Sequence, residues 1–136
     1  SEILFPVCSA DHYHLKVGGG KYDFRPENQG KAHLACLEKY LYILIDKLKG
    51  GQLEPQTVLV DNTNTTKEEI APYWQLAQLH DIPVKIVRIH CSFETACKRN
   101  VHKVPRSTIW RMHQNILTEK LPAHWIEDII LGEESP

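Results

Sequence analysis

The sequence has almost no methionine, no long apolar run and no excess of either charge, and each shortage excludes a class of protein. Met112 is the single methionine in 136 residues, so no initiator is present; either it was removed ahead of Ser1 or the sequence starts inside its gene. No apolar stretch approaches the roughly 18 residues that a membrane-spanning helix needs. Residues 1–6 carry no basic segment followed by a long apolar one, so they do not read as a secretion signal. Sixteen Lys and Arg stand against seventeen Asp and Glu, a net charge of -1. That balance excludes a strongly basic nucleic-acid binder, though not a local basic patch. The four cysteines, Cys8, Cys36, Cys91 and Cys97, form no C-x-x-C pair and are too sparse for a disulfide framework. Reduced thiols and a cytoplasmic setting are expected. Histidine is abundant, at eight residues. Even so, the His12-x-His14 pair and the His90-Cys91 pair lack the repeated spacing of a structural zinc site, and no metal site is expected from them.

What remains is an ordinary globular composition, with 42% apolar and 24% charged residues. A chain of this length buries about two-thirds of its unfolded surface as one domain. The expectation is a single α/β domain over residues 1–131, with a frayed tail over 132–136.

The apolar run over residues 3–8, cut by Pro6, predicts a buried strand ending near Ser9-Ala10-Asp11. The three glycines at 18–20 predict a turn, and residues 23–30 an irregular segment. Over residues 31–49, Leu34, Leu37, Leu41, Leu44, Ile45 and Leu48 recur at helical spacing and predict one long amphipathic helix. Lys47 and Lys49 suit its C-terminal end, and Gly50-Gly51 its stop. Residues 57–60 read as a strand buried on both faces. Thr66 with Glu69 forms a capping-box pattern for a helix reaching about His80. Residues 84–89 predict a strand, and Ser92 caps a helix to about Asn100. A further helix spans residues 107–118, and residues 125–131 form a strand or short helix. Strands alternating with helices predict a mostly parallel sheet covered on both faces.

Three segments fall just past strand ends, where such sheets place ligands. They are Ser9-Ala10-Asp11, Asp61-Asn62-Thr63-Asn64, and the basic run from Lys98 through Lys103 to Arg106. A carboxylate at a strand end can take a proton from a hydroxyl, and clustered cations can stabilise charge on a phosphoryl group. His33 and Cys36 read as packing residues of the long helix, and Trp74 and Trp110 as core or rim rather than base-stacking platforms.

Six motifs occur in a familiar order: Ser9-Ala10-Asp11, Tyr22-x-Phe24-x-Pro26, Ala32-His33-x-x-Cys36, Val60-Asp61-Asn62-Thr63-Asn64-Thr65, Pro72-Tyr73 and Arg99-Asn100-Val101-His102-x-Val104-Pro105. In this order the chain resembles the P-loop kinase-like proteins related to phage polynucleotide kinase and to the kinase-like half of animal cyclic-nucleotide phosphodiesterase. The resemblance implies a three-layer P-loop-kinase-like fold and use of ATP with Mg. It assigns Asp11 as the general base toward a hydroxyl acceptor, with Ser9, Asp61, Asn62, Thr63 and Asn64 beside the phosphates and acceptor. It places Arg99 and His102 on the phosphates from a lid, with Lys103 and Arg106 in support.

The phosphate-cradling G-x-x-x-x-G-K-[ST] loop of such proteins is not in these 136 residues, since only eight residues precede Ser9. Gly18-Gly19-Gly20-Lys21 is no substitute: Leu15 stands where the motif needs a first glycine, and Tyr22 where it needs Ser or Thr. In the family the strand feeding that loop lies mid-sheet, so the chain is about one βα unit short, roughly thirty residues. Its sheet would then lack a central strand, or be completed by a changed strand order or a second copy of the chain. Three functions stay open. The first is a phosphotransferase acting on a nucleotide, a small metabolite or a nucleic-acid 5′ end, dependent on an upstream P-loop and inactive as a kinase without it. The second is a non-catalytic, dimeric binding or assembly module. The third is a hydrolase or nucleotide-binding protein using Asp11, His12, His14 and Asp61 on a metal.

Overall fold

A computed structural model of the chain describes residues 6–49 and 57–132, with the side chains of residues 47–49 left aside. The start of the first predicted strand, the Gly50-Gly51 stop, the charges of Lys47 and Lys49 and all of the tail beyond Gly132 lie outside the described residues. The elements are β1 (Val7–Cys8), α1 (Asp11–Val17), a 3-10 turn (Pro26–Asn28), α2 (Gln29–Lys49), β2 (Leu59–Val60), α3 (Lys67–Leu79), β3 (Lys85–His90), α4 (Phe93–Lys98), α5 (Arg106–Thr118) and β4 (Ile126–Leu131). They divide into two compact units, one ending at Asn62 and one beginning at Thr63.

In the first unit β1 and β2 pair in parallel, with Val7 opposite Leu59 and Cys8 opposite Val60. The long helix α2 forms as its periodicity predicts, and the predicted stripe holds in part: Leu44 is fully buried and Leu37, Leu41 and Ile45 are half-buried. Ala32, Cys36, Tyr40 and Leu44 are the buried residues, each four apart, whereas Leu34 is 56% exposed. The reason is steric: small Ala and Cys side chains let the helix backbone lie close to β1, and Lys39 reaches the Val7 carbonyl at 2.7 Å. Of the predicted pair, Cys36 is packed and His33 is exposed, where it meets Gln29 at 3.1 Å. Strand β2 is shorter than predicted and is not buried on both faces, since Leu59 is exposed. Helix α1 was not predicted; its seven residues lack an apolar repeat, and it is held by His14, which is 1% exposed.

In the second unit β3 and β4 pair in parallel over six residues each. The caps are those the sequence predicts. Thr66 accepts the Glu69 N–H at 3.3 Å and Ser92 accepts the Thr95 N–H at 3.1 Å. Trp74 stacks on buried Trp125 at 5.2 Å, and Trp110 packs edge-on against Phe93 at 5.0 Å. Of the segment 125–131, Ile126–Leu131 form a strand. The expected cover on both faces is absent here: β3 alternates and β4 is exposed throughout, with Ile89 at 57% and Ile126 at 63%. Among the described residues the four strands form two separate two-stranded parallel sheets, and no strand joins them.

Arg88, in the middle of β3, does a job its position in an apolar run conceals. Its guanidinium donates to the Ile116 carbonyl at 2.8 Å and to the Glu119 carbonyl at 2.5 Å, satisfying orphan groups at the C-terminal end of α5. Replacing Arg88 by Met strands those carbonyls and should cost about 2–4 kcal/mol in urea denaturation. Lys85→Met removes only an exposed ion pair with Asp128 and should cost under about 1 kcal/mol. Equal losses would rule out this role for Arg88.

Burial also sets a pH limit. The Cys8 thiol is pushed up from 9.0 to about 11, first by burial, then by Cys36, against a smaller lowering by Lys39. Buried Tyr40 moves the same way, to about 12, through burial and then Cys8. Between pH 9 and 11 the unfolded chain loses a proton from Cys8 that the folded chain keeps, so stability is level below pH 9 and falls above it. Urea midpoints at pH 8 and pH 10.5 should show this fall, and Cys8→Ala should reduce it.

Candidate functional site

At the end of β1 the chain turns directly into α1, and the turn is fixed by polar contacts rather than by bulk. Cys8, Ser9 and Ala10 are buried. The Ser9 hydroxyl accepts the Asp11 N–H at 3.2 Å. The Ala10 N–H donates to Asn62 Oδ1 at 2.8 Å, and Asn62 Nδ2 donates to Cys36 Sγ at 3.4 Å. The Asp61 N–H donates to the Cys8 carbonyl at 2.8 Å. One amide side chain thus ties the ends of β1 and β2 to α2. The first unit therefore brings Ser9, Asp11, Asp61 and Asn62 to the carboxyl ends of its two strands. The Asp11 and Asp61 side chains are solvent-exposed, as groups that meet a ligand must be.

Asp11 has a neighbour that sequence reasoning passed over. Tyr22 is hydrogen-bonded to the Asp11 carboxylate, and its hydroxyl is held above the ordinary tyrosine value, first by burial and then by the charge and hydrogen bond of Asp11. The signal was present in Tyr22-x-Phe24, but nothing in its spacing links it to a residue eleven positions earlier.

The second unit holds the remaining candidates. Asn64 adopts a left-handed backbone (φ 44°), which asparagine tolerates, as the chain leads from Thr63 into α3. Buried Thr65 donates to Glu69 at 3.3 Å. After α4, Asn100 closes a short loop on itself: its Nδ2 donates to the Val104 carbonyl at 2.8 Å and its Oδ1 accepts the Val104 N–H at 3.0 Å. His102 and Lys103 ride on that loop, exposed, with Lys103 held at φ 57°. Arg99 stands at the end of α4, where a β-carbon on Gly132 would lie 3.4 Å from its guanidinium. Arg106 does not join this loop cluster by a hydrogen bond or ion pair; its guanidinium lies over the Phe93 ring, 4.7 Å from the centroid.

A cavity of about 190 Å³ opens in the same unit. Thr63, Ile89, His90, Cys91, Met112 and His113 contribute to its lining, and among the described residues buried His90 Nε2 has no hydrogen-bond partner. The sequence marked His90-Cys91 as a pair but gave no reason to join it to Thr63 or to α5.

No group of three or more His, Cys, Asp or Glu side chains placed to hold a metal ion occurs among the described residues. His14, counted among candidate ligands, is instead buried, with its ring in a cluster with Tyr13, Tyr22 and Phe24 and Nε2 on Gln29 Oε1 at 2.9 Å. Magnesium in phosphoryl transfer takes one or two protein oxygens and the rest from phosphates and water, so it calls for no such group. No helix among the described residues is long and apolar enough to cross a membrane.

The Asn62 clamp can be checked directly. Asn62→Ala should expose the Ala10 amide to hydrogen exchange and cost about 1–2 kcal/mol. Asn62→Asp keeps the acceptor and should retain that protection. An Ala10 amide equally protected in all three proteins would disprove the clamp.

A family model described as an AAA domain matches residues 9–118, from Ser9 through every candidate site residue to the end of α5. Such domains are P-loop NTPase-like, include kinase-like families and generally bind nucleotides with magnesium. No curated protein matches the chain.

Proposed function

The chain belongs to this AAA-domain family, and from that premise we propose that it is the acceptor and lid portion of an ATP-dependent phosphotransferase resembling polynucleotide and nucleoside 5′-hydroxyl kinases. Its three-layer P-loop-kinase arrangement is part of the same reading. The observation that carries it is the Asp11 carboxylate, exposed in the first turn after β1 on a backbone pinned by Ser9 and Asn62. A general base needs this combination of a fixed position and open access.

The chemistry follows from the side chains. Asp11 takes the proton of the acceptor hydroxyl as that oxygen forms its bond to the γ-phosphorus. The bond from the γ-phosphorus to the bridging oxygen breaks, and ADP leaves with the electron pair. Asp61, Asn62, Thr63 and Asn64 line the acceptor and phosphates. Arg99 and His102 meet the charge that spreads over the phosphoryl oxygens, with Lys103 and Arg106 adding cationic character. The loop that cradles the phosphates is not among these 136 residues, so turnover depends on a segment that supplies it. The acceptor is a nucleotide or another hydroxyl-bearing molecule, a nucleic-acid 5′ end included, in the cytoplasm.

A second reading, an assembly module that pairs with its own copy, is favoured by one observation. Parallel strands are ordinarily covered on both faces, yet Val87, Ile89, Ile126 and Ile130 share an exposed face of the β3–β4 sheet.

Asp11→Asn in the full-length protein should reduce phosphate transfer from ATP by at least a hundredfold while leaving ATP binding within about twofold, read by radiolabel transfer and calorimetry. Unchanged turnover would remove Asp11 as the base. A dimer in sedimentation that dissociates on Ile89→Lys, in a protein without ATP-dependent transfer, would favour the second reading.

A further inference from the structure

An exposed carboxylate rotates among several rotamers unless something fixes it, and a base that wanders is a weak base. Asp11 is exposed, but it is not loose. The Tyr22 hydroxyl donates a hydrogen bond to its carboxylate, and the local fold is built to bring Tyr22 there.

The device is the triple-glycine turn that follows α1. Gly18, Gly19 and Gly20 N–H groups close onto the His14, Lys16 and Leu15 carbonyls at 3.3, 3.2 and 2.9 Å. A β-carbon on Gly18 would stand 1.9 Å from the Lys21 carbonyl oxygen, and Gly20 sits at φ 99°. Only glycine makes a reversal this tight. The chain then comes back along the helix it has just left, and the Asp23 N–H joins the His14 carbonyl at 3.2 Å. Tyr22 is thereby set beside α1, facing the turn that carries Asp11.

Its ring is braced as well. Tyr22 packs edge-on against His14, with centroids 5.6 Å apart, and Phe24 meets the same imidazole at 5.1 Å. His14 is itself buried and bonded to Gln29. The tyrosine thus leans on an immobile post while its hydroxyl reaches the carboxylate.

We propose that Tyr22 is a positioning residue: it holds the Asp11 carboxylate in the orientation that receives the acceptor's proton. The proposal rests on the reading of Asp11 as general base. A carboxylate has two oxygens. One accepts from Tyr22, and in the proposed step the carboxylate turned this way receives the proton of the acceptor hydroxyl. Tyr22 remains protonated throughout and takes no part in the transfer, so the proton released by the acceptor ends on Asp11. The glycine turn, which resembles a phosphate loop in composition, serves here as the hinge that aims a tyrosine.

The test has two arms on the full-length protein. The first reads the contact without catalysis. The Tyr22 hydroxyl, followed by NMR of ring-labelled tyrosine, should titrate lower in Asp11→Asn than in wild type, because the negative charge that helps raise it is gone while an amide oxygen still accepts. An unchanged Tyr22 titration overturns the contact and the proposal with it. The second arm measures transfer from ATP to a 5′-hydroxyl oligonucleotide. Tyr22→Phe keeps the ring against His14 and deletes only the hydroxyl. It should lower kcat roughly ten- to a hundredfold with KM for ATP and urea midpoint unchanged. Tyr22→Leu should lower kcat and also the urea midpoint. If Asp11→Asn abolishes transfer while Tyr22→Phe keeps full kcat, positioning is overturned and the base stands. If Asp11→Asn keeps full kcat, the base reading falls, and positioning falls with it.

Discussion

The amide of Asn62 accepts the Ala10 N–H with its oxygen and donates to Cys36 with its nitrogen, and the candidate site of the first unit hangs on that double contact. A two-residue parallel pair such as β1 and β2 has too few ladder bonds to hold itself together. The amide adds cross-links where the strands end, and it does so in a part-buried setting where an unmade bond carries a cost. Ser9, Asp11 and Asp61 inherit their positions from it. A site that needs a fixed carboxylate is thus anchored by an uncharged side chain that itself takes no proton.

The second unit solves the same problem differently. Arg88 spends its charge on the end of α5, and Asn100 folds a five-residue loop onto its own backbone. Both devices fix backbone through side-chain hydrogen bonds. Lys103 is held in a left-handed conformation that a lysine adopts at some cost, and that cost is met by the two Asn100 bonds flanking it. His102 and Lys103 therefore sit on a loop closed by its own side chain.

Much of this was legible in the residues. Helices α2, α3, α4 and α5 announce themselves through periodicity and through Thr66 and Ser92 as caps, and β3 through its β-branched run. The order of short motifs places the chain among P-loop kinase-like proteins, and the AAA-domain match over residues 9–118 agrees at that level. What was not legible has physical causes. Helix α1 has no apolar repeat, because a single buried histidine anchors it. The buried stripe of α2 starts with the small side chains of Ala32 and Cys36, which a leucine count passes over, and ends on Leu44, which it includes. Arg88 looks like an interruption in a strand until the carbonyls it reaches are known. Tyr22 and Asp11 are linked by a reversal that three glycines permit but that no spacing rule encodes.

The bond between Ala10 and Asn62 spans 52 positions of sequence. Closing a segment that long costs about 3–4 kcal/mol of chain entropy before any contact repays it. The helices within the segment form from local contacts and need not wait. The strand ends and the amide that ties them depend on that long closure, which the helices do not. Asp11 therefore keeps its place beside the strand ends only while the whole unit is folded, so whatever it does there is switched off by partial unfolding before the helices are lost.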